Sequence, residues 1–207
     1  MITVAEAQSC YQGADAIHDF DHVLRVLALA ERLAELEGAD LEIVRTATLL
    51  HDIGRAHGER GDALADHARV GAEQARRLLA GHPPHKVETV AEAIAAHRFR
   101  SGPEPQTPEA KVLYDADKLD AIGAIGVARA FAFGGYNGQR LWADVPPGYQ
   151  ESLAGPDEHT PVHEYAIKLS RIKDRLLTAS ARALAEERHQ FMAAFFGRLE
   201  QEVRGLA

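Results

Sequence analysis

Sulfur is nearly missing from this chain: among 207 residues there are two methionines and one cysteine, Cys10. One cysteine excludes an internal disulfide, and it leaves no thiolates to spare for a structural zinc site. No apolar run approaches the ~18 residues of a membrane span, and the opening MITVAEAQSC lacks the basic-then-apolar pattern of a secretory signal. A soluble, cytoplasmic protein with no membrane partner is expected. Basic residues are in deficit, with 23 Lys and Arg against 31 Asp and Glu for a formal charge of −8. Such a chain repels polyanions, which argues against long nucleic acid as a partner. Small phosphorylated ligands stay open, because a local basic pocket can persist on an acidic average. Alternating strand patterns, internal repeats and low-complexity tracts are also missing.

What is present is helical periodicity. Apolar residues recur at helical spacing over about 21–37, 41–52, 66–80, 84–98, 108–132, 161–178 and 181–204. With 46% hydrophobic residues, the chain can bury one sizeable core, and a single all-α domain spanning 1–207 is expected. In the last helix Leu184, Met192, Phe195, Leu199 and Val203 form a stripe. Core packing is the reading preferred for it, with a seam between copies in a homo-oligomer as the alternative. Between 134 and 161 the sequence turns rich in Gly and Pro, a long loop that carries Tyr136, Trp142 and Tyr149. Two readings of this loop have equal weight: a surface loop packed on the bundle, and a lid hinged at Gly134, Gly135 and Gly138. As a lid it would stack Trp142 on a nucleotide base.

The chemistry lies in polar residues placed on apolar helix faces. In ATLLHDIGR, residues 47–55, His51 falls on the stripe of Ile43, Val44, Ala47 and Leu50, and Asp52 follows it before Gly54 ends the helix. An unpaired buried charge is expensive, so a salt bridge or a metal ion must compensate it. His22 shares a face with Val26, Leu29 and Leu33, and His97 shares one with Val90, Ala93 and Ile94. Asp117 follows Leu113 by one turn, and His67 opens a helix with Val70, Gly71 and Leu78 on its side. A lone inward histidine is more often a hydrogen-bonded core residue than a ligand. Several on separate helices change that balance. Mixed imidazole and carboxylate donors suit a divalent Mn, Fe, Co, Ni or Mg ion with positions left open for water.

The ordered set His22, His51-Asp52 and Asp117 resembles the HD-domain metal-dependent phosphohydrolase superfamily. The segments HDFDHVLRV (18–26), LLHDIG (49–54), DHARVGAE (66–73), AHRF (96–99) and DADKLDAIGAIGVAR (115–129) are similar to its stand-alone bacterial hydrolases. The resemblance covers roughly 18–135. It implies an HD-type helical bundle with one divalent ion on His22, His51, Asp52 and Asp117, Asp52 also serving catalysis. It also makes the earlier His18-Asp19 a decoy, whose roles are support of the ligands or helix capping.

Hydrolysis of a phosphate ester needs water deprotonated and phosphoryl charge tolerated, which a divalent ion provides. Positive side chains supply the rest of the charge. Arg25 and Lys118 are the first choices for phosphate, with Arg55 and Arg98 next. Asp120, one turn beyond Asp117, either orients the attacking water or pairs with an arginine. In binuclear relatives the histidines corresponding to His67 and His97 hold a second ion beside a further histidine, where this chain has Arg98. That departure favours one ion, with His67 and His97 serving substrate or proton transfer, and keeps a second ion as the alternative. The Gly-Tyr-Pro extension of cyclic-dinucleotide phosphodiesterases is missing. The resemblance implies hydrolysis of a phosphoester or phosphoanhydride in a small molecule, most plausibly a nucleotide, with pyrophosphohydrolysis of nucleoside triphosphates ahead of monoester cleavage. A metal-containing nucleotide sensor without turnover is the alternative. HEYAI at 163–167 has Ile167 where a zinc peptidase needs its second histidine, which removes that class.

Overall fold

A computed structural model describes residues 1–11, 20–55, 67–98, 102–150 and 159–207. Among the described residues all regular structure is helical, as the periodicity implies, and no strand occurs. The α-helices are α1 (Val4–Ser9), α2 (Phe20–Glu37), α3 (Leu41–Leu50), α4 (His67–Leu78), α5 (Pro84–Ala95), α6 (Pro108–Asp120), α7 (Gly123–Tyr136), α8 (Pro161–Ile167) and α9 (Ala179–Val203). Two 3-10 turns, Ile53–Arg55 and Leu169–Arg175, join them. The chain divides into two compact units, Met1–Lys118 with Leu177–Ala181, and Leu119–Leu176 with Arg182–Ala207. His18 and Asp19, and residues 151–158 of the long loop, lie outside the described residues.

In the first unit α3 is the central element. Asp40 caps it, its Oδ1 accepting from the amides of Glu42 at 2.9 Å and Ile43 at 3.2 Å. Ile43, Val44, Ala47, Leu49 and Leu50 are all buried, since α3 packs against α2, α5 and α1. α2 meets it with Val23, Leu27 and Ala30, residues at three- and four-residue spacing. α2 stops at Gly38, whose positive φ of 70° lets the Ala39 amide reach back to the Ala34 carbonyl. α4 lies on α5 and on the turn that follows α3. Asp115 of α6 fastens residues 177–181 to this unit. Its Oδ2 accepts from the Thr178 amide and hydroxyl at 2.7 Å each, and its Oδ1 from the Leu177 amide at 2.9 Å.

The expected helix over 108–132, which runs from the first unit into the second, proves to be two. The chain breaks after Asp120 and restarts at Gly123, whose φ of 78° only glycine adopts without strain. The expected helix over 161–178 is shorter as well, ending at Ile167 and passing into the 3-10 turn. Of the stripe expected in α9, Met192 is buried while Val203 is 46% exposed, and Phe196 rather than Phe195 is the more buried ring. Phe131 of α7 packs on Phe195 and Phe196, and Tyr165 stacks on Phe196 at 4.1 Å. Gly134 and Gly135 belong to the last turn of α7 rather than to a loop. A Cβ on Gly134 would meet Pro161 of α8 at 3.0 Å, so close packing accounts for that glycine. Gly138 ends α7 in the same way that Gly38 ends α2, with the Gln139 amide bonded to the Gly134 carbonyl at 2.8 Å.

Candidate metal centre

Five stretches of the first unit bring their polar side chains together. His22 comes from the first turn of α2, His51 and Asp52 from the turn leaving α3, and His67 from the start of α4. His97 lies just past α5, and Asp117 and Lys118 in the last turn of α6. The four imidazoles form a continuous row, with ring centroids 5.4 Å apart for His22–His51, 5.3 Å for His51–His97 and 5.6 Å for His97–His67. Asp52 lies among them with its two oxygens turned to different partners. Oδ2 is 3.7 Å from His51 Nε2, whereas Oδ1 is 3.6 Å from His97 Nε2 and 3.8 Å from His67 Nε2. Asp117 Oδ1 is 3.4 Å from His22 Nε2. Two donor groups result, His22–His51–Asp52 and Asp52–His67–His97, each with ligand atoms within 4.8 Å of one another.

Backbone carbonyls fix which imidazole nitrogen points inward. His51 Nδ1 donates to the Thr48 carbonyl at 2.8 Å, and His97 Nδ1 donates to the Ile94 carbonyl at 2.6 Å. Each ring thereby presents a lone pair at Nε2 toward the cluster. His51 Nε2 is fully buried and has no hydrogen-bond partner. A buried acceptor left unsatisfied costs about 1–3 kcal/mol, and a divalent cation among these donors would remove that cost. The residues therefore fit a metal ion.

The electrostatics agree with ligation, which needs neutral imidazoles and ionised carboxylates. Burial pushes His51 down to about 4 against the opposing pull of Asp52 and Asp117. His67 is pushed down to about 3 by burial and by the Arg55 guanidinium. Burial alone would raise the Asp52 carboxyl, but His51, His97 and Arg55 together hold it well below the usual carboxylate range. Asp117 is held low in the same manner, Lys118 and His22 outweighing its burial.

The basic residues fall into place unevenly. Lys118 is buried; its ammonium donates to Asp117 Oδ2 and to the His97 carbonyl at 2.8 Å, and lies 5.0 Å from the centre of the Tyr114 ring. Arg55 Nε donates to Asp52 Oδ1 at 2.8 Å from an exposed position. Arg25 is half-buried one turn after His22, and Arg98 is half-buried beside His97. Two expected site residues belong to the second unit and have their own partners there. The buried Asp120 carboxylate accepts from Arg129 Nη1 at 2.8 Å, the arginine pairing that the sequence leaves open. Trp142 is half-buried with the Arg204 guanidinium 5.5 Å from its ring centre, and Arg204 in turn bonds Asp144 at 2.9 Å.

Three contributors have no clear signal in the sequence. Thr48 supplies the carbonyl that orients His51, a role marked only by its i−3 spacing. Gly54 lets α4 approach, for a Cβ there would lie 2.2 Å from the His67 carbonyl oxygen. Tyr11, buried just after α1, donates its hydroxyl to the Leu49 carbonyl at 3.0 Å. Burial and the nearby Asp52 charge raise this phenol well above its ordinary range, so it stays protonated.

The HD domain family model matches residues 19–122, a span that holds every member of this cluster. The chain belongs to the HD domain family. It is similar to the Bacillus subtilis protein YpgQ, with 37% identity over 96% of this chain and 91% of that one. The crystal structure of YpgQ in complex with ADP superimposes with a TM-score of 0.76 at 32% identity, covering 99% of this chain and all of that one. An HD-superfamily hydrolase from Bacillus thuringiensis gives a TM-score of 0.73 at 28% identity, over 97% and 94% of the two chains. Similarity to Ribonuclease Y of Chloroflexus aurantiacus is 41% identity over 47% of this chain but only 17% of that protein. The match with it is thus confined to about half of this chain and a small part of that protein.

Proposed function

We propose that this HD domain protein is a divalent-metal-dependent phosphohydrolase acting on a small nucleotide. The buried, unpartnered Nε2 of His51, facing one oxygen of Asp52 and bordered by His22, carries the reading. In it His22, His51, Asp52 and Asp117 hold one ion. Such an ion supplies a Lewis acid that lowers the cost of deprotonating water and offsets charge on phosphoryl oxygens. The protein's own groups do the remainder. Lys118, Arg55 and Arg25 bind phosphate oxygens, and His67 and His97 contact the substrate or transfer a proton. A nucleotide as substrate is supported by the ADP complex of YpgQ and by the overall acidity of the chain, which disfavours polyanions.

The test is a screen of nucleoside triphosphates, diphosphates and base-free phosphate esters with Mn, Mg, Co and Ni ions, separating pyrophosphate from phosphate release. Pyrophosphate release from a triphosphate is the expected outcome. Nucleotide binding without any turnover would favour the sensor reading instead. Trp142 as a substrate contact is tested in the same screen, Trp142→Ala losing more activity on nucleotides than on base-free esters. A second reading, two ions sharing Asp52, is favoured by the placement of Asp52 Oδ1 between His97 and His67.

A further inference from the structure

We infer that Tyr11 is a positioning residue for Asp52, its hydroxyl clamping the turn that aims this carboxylate between the two imidazole groups. The inference rests on the metal reading proposed above. α3 ends at Leu50 with His51 as its C-cap, and the chain enters the 3-10 turn at Ile53, so His51 and Asp52 occupy a junction. At such a junction the backbone groups lose their regular helical partners. The Tyr11 hydroxyl is placed there, donating to the Leu49 carbonyl at 3.0 Å, three residues before Asp52.

The clamp is built rather than incidental. Tyr11 is 6% exposed and joins the same core as Leu49, Leu50 and Ile53, and its ring packs on Phe20 at 5.4 Å. Phe20 begins the helix that carries His22. α1, which precedes Tyr11, is closed by a reciprocal Thr3–Glu6 capping box and packs on α3. A capped short helix, a buried ring and one hydroxyl thus meet at the backbone of Leu49, where α3 gives way to the turn that carries Asp52. The side-chain consequence is direct, because Asp52 divides its two oxygens between His51 on one side and His67 with His97 on the other. A small rotation of the Asp52 backbone would move both oxygens at once.

The test compares Tyr11→Phe with Phe20→Leu in the full-length protein. Tyr11→Phe removes only the oxygen, whereas Phe20→Leu loosens the same packing and keeps the hydroxyl. Mn2+ affinity is followed by the signal of free ion in titrations, and hydrogen exchange of the Asp52 amide is measured in metal-free protein. Tyr11→Phe should weaken Mn2+ binding about tenfold, as the loss of a group supporting a ligand commonly does, and should speed exchange at Asp52. Phe20→Leu should lower the melting temperature while leaving the Mn2+ affinity within about twofold. Equal affinity in Tyr11→Phe and the unsubstituted protein overturns the inference, as does an equal loss in both variants. If the unsubstituted protein binds no Mn2+, the metal reading fails. The exchange comparison then still decides the clamp: faster exchange in Tyr11→Phe supports it and unchanged exchange refutes it.

Discussion

Gly54 offers the sharpest perturbation, because its replacement by alanine adds one methyl group at a known place. That methyl would lie 2.2 Å from the carbonyl oxygen of His67 and 2.7 Å from the amide nitrogen of Gly71, both backbone atoms of α4. No side chain can rotate away to relieve the contact, and the start of α4 has to retreat by roughly 1 Å to restore ordinary separation. Overpacking of this kind costs about 1–3 kcal/mol, which in a chain of this size lowers the melting temperature by roughly 2–12 °C. His67 opens α4 and has its Nε2 3.8 Å from Asp52, so its distance to the cluster grows with the retreat. Gly81→Ala is the control, since a Cβ there meets nothing within 4 Å. Thermal unfolding and turnover of phosphate substrates are compared for the two variants, with helical content followed by circular dichroism. Gly54→Ala should lose both stability and turnover while Gly81→Ala keeps both. Indistinguishable variants would refute the close approach of α4 to this turn.

Three further outcomes follow from the same contacts. Asp117→Ala removes the partner of both His22 and Lys118 and should cut turnover and metal affinity by at least about 100-fold, with helical circular dichroism preserved; full metal content in elemental analysis would remove Asp117 from the ligand set. His97→Ala separates the two metal readings, because turnover should fall with metal content steady near one ion per chain if His97 serves substrate, whereas a fall from two ions to one would establish the shared-Asp52 arrangement. Asp115→Ala takes the acceptor from the Leu177 and Thr178 amides and the Thr178 hydroxyl; urea denaturation should show a loss of about 2–4 kcal/mol, and a loss under 1 kcal/mol would contradict the anchoring role given to Asp115.

How much of this is legible in the sequence depends on whether the deciding interaction is periodic. Helical spacing turns His22 and His51 inward, and both are buried. The central helices are legible for the same reason. The end of α3 reads two residues too long because Gly54 resembles an ordinary helix stop. Its actual importance comes from α4, remote in the chain from any local signal. Tyr11 escapes because α1 has only six residues, too few for a periodic stripe. The break between α6 and α7 is hidden by Leu119, Ile122 and Val127, which continue an apolar pattern through a turn set by one glycine dihedral. The partner of Asp120 stays open in the sequence because Arg129 reaches it from beyond that break.

The proposed ligands also have a consequence for folding. His22, His51-Asp52 and Asp117 come from the beginning, middle and end of the first unit, and an ion that joins them acts as a removable cross-link closing long stretches of chain. An unfolded chain presents no such cluster, so occupancy would draw the equilibrium toward the folded form by RT ln(1 + [L]/Kd), about 2.7 kcal/mol at a hundredfold excess over Kd. A chelator would then act as a mild denaturant. Metal supply would govern how long the protein survives heat or proteolysis as well as how fast it turns over.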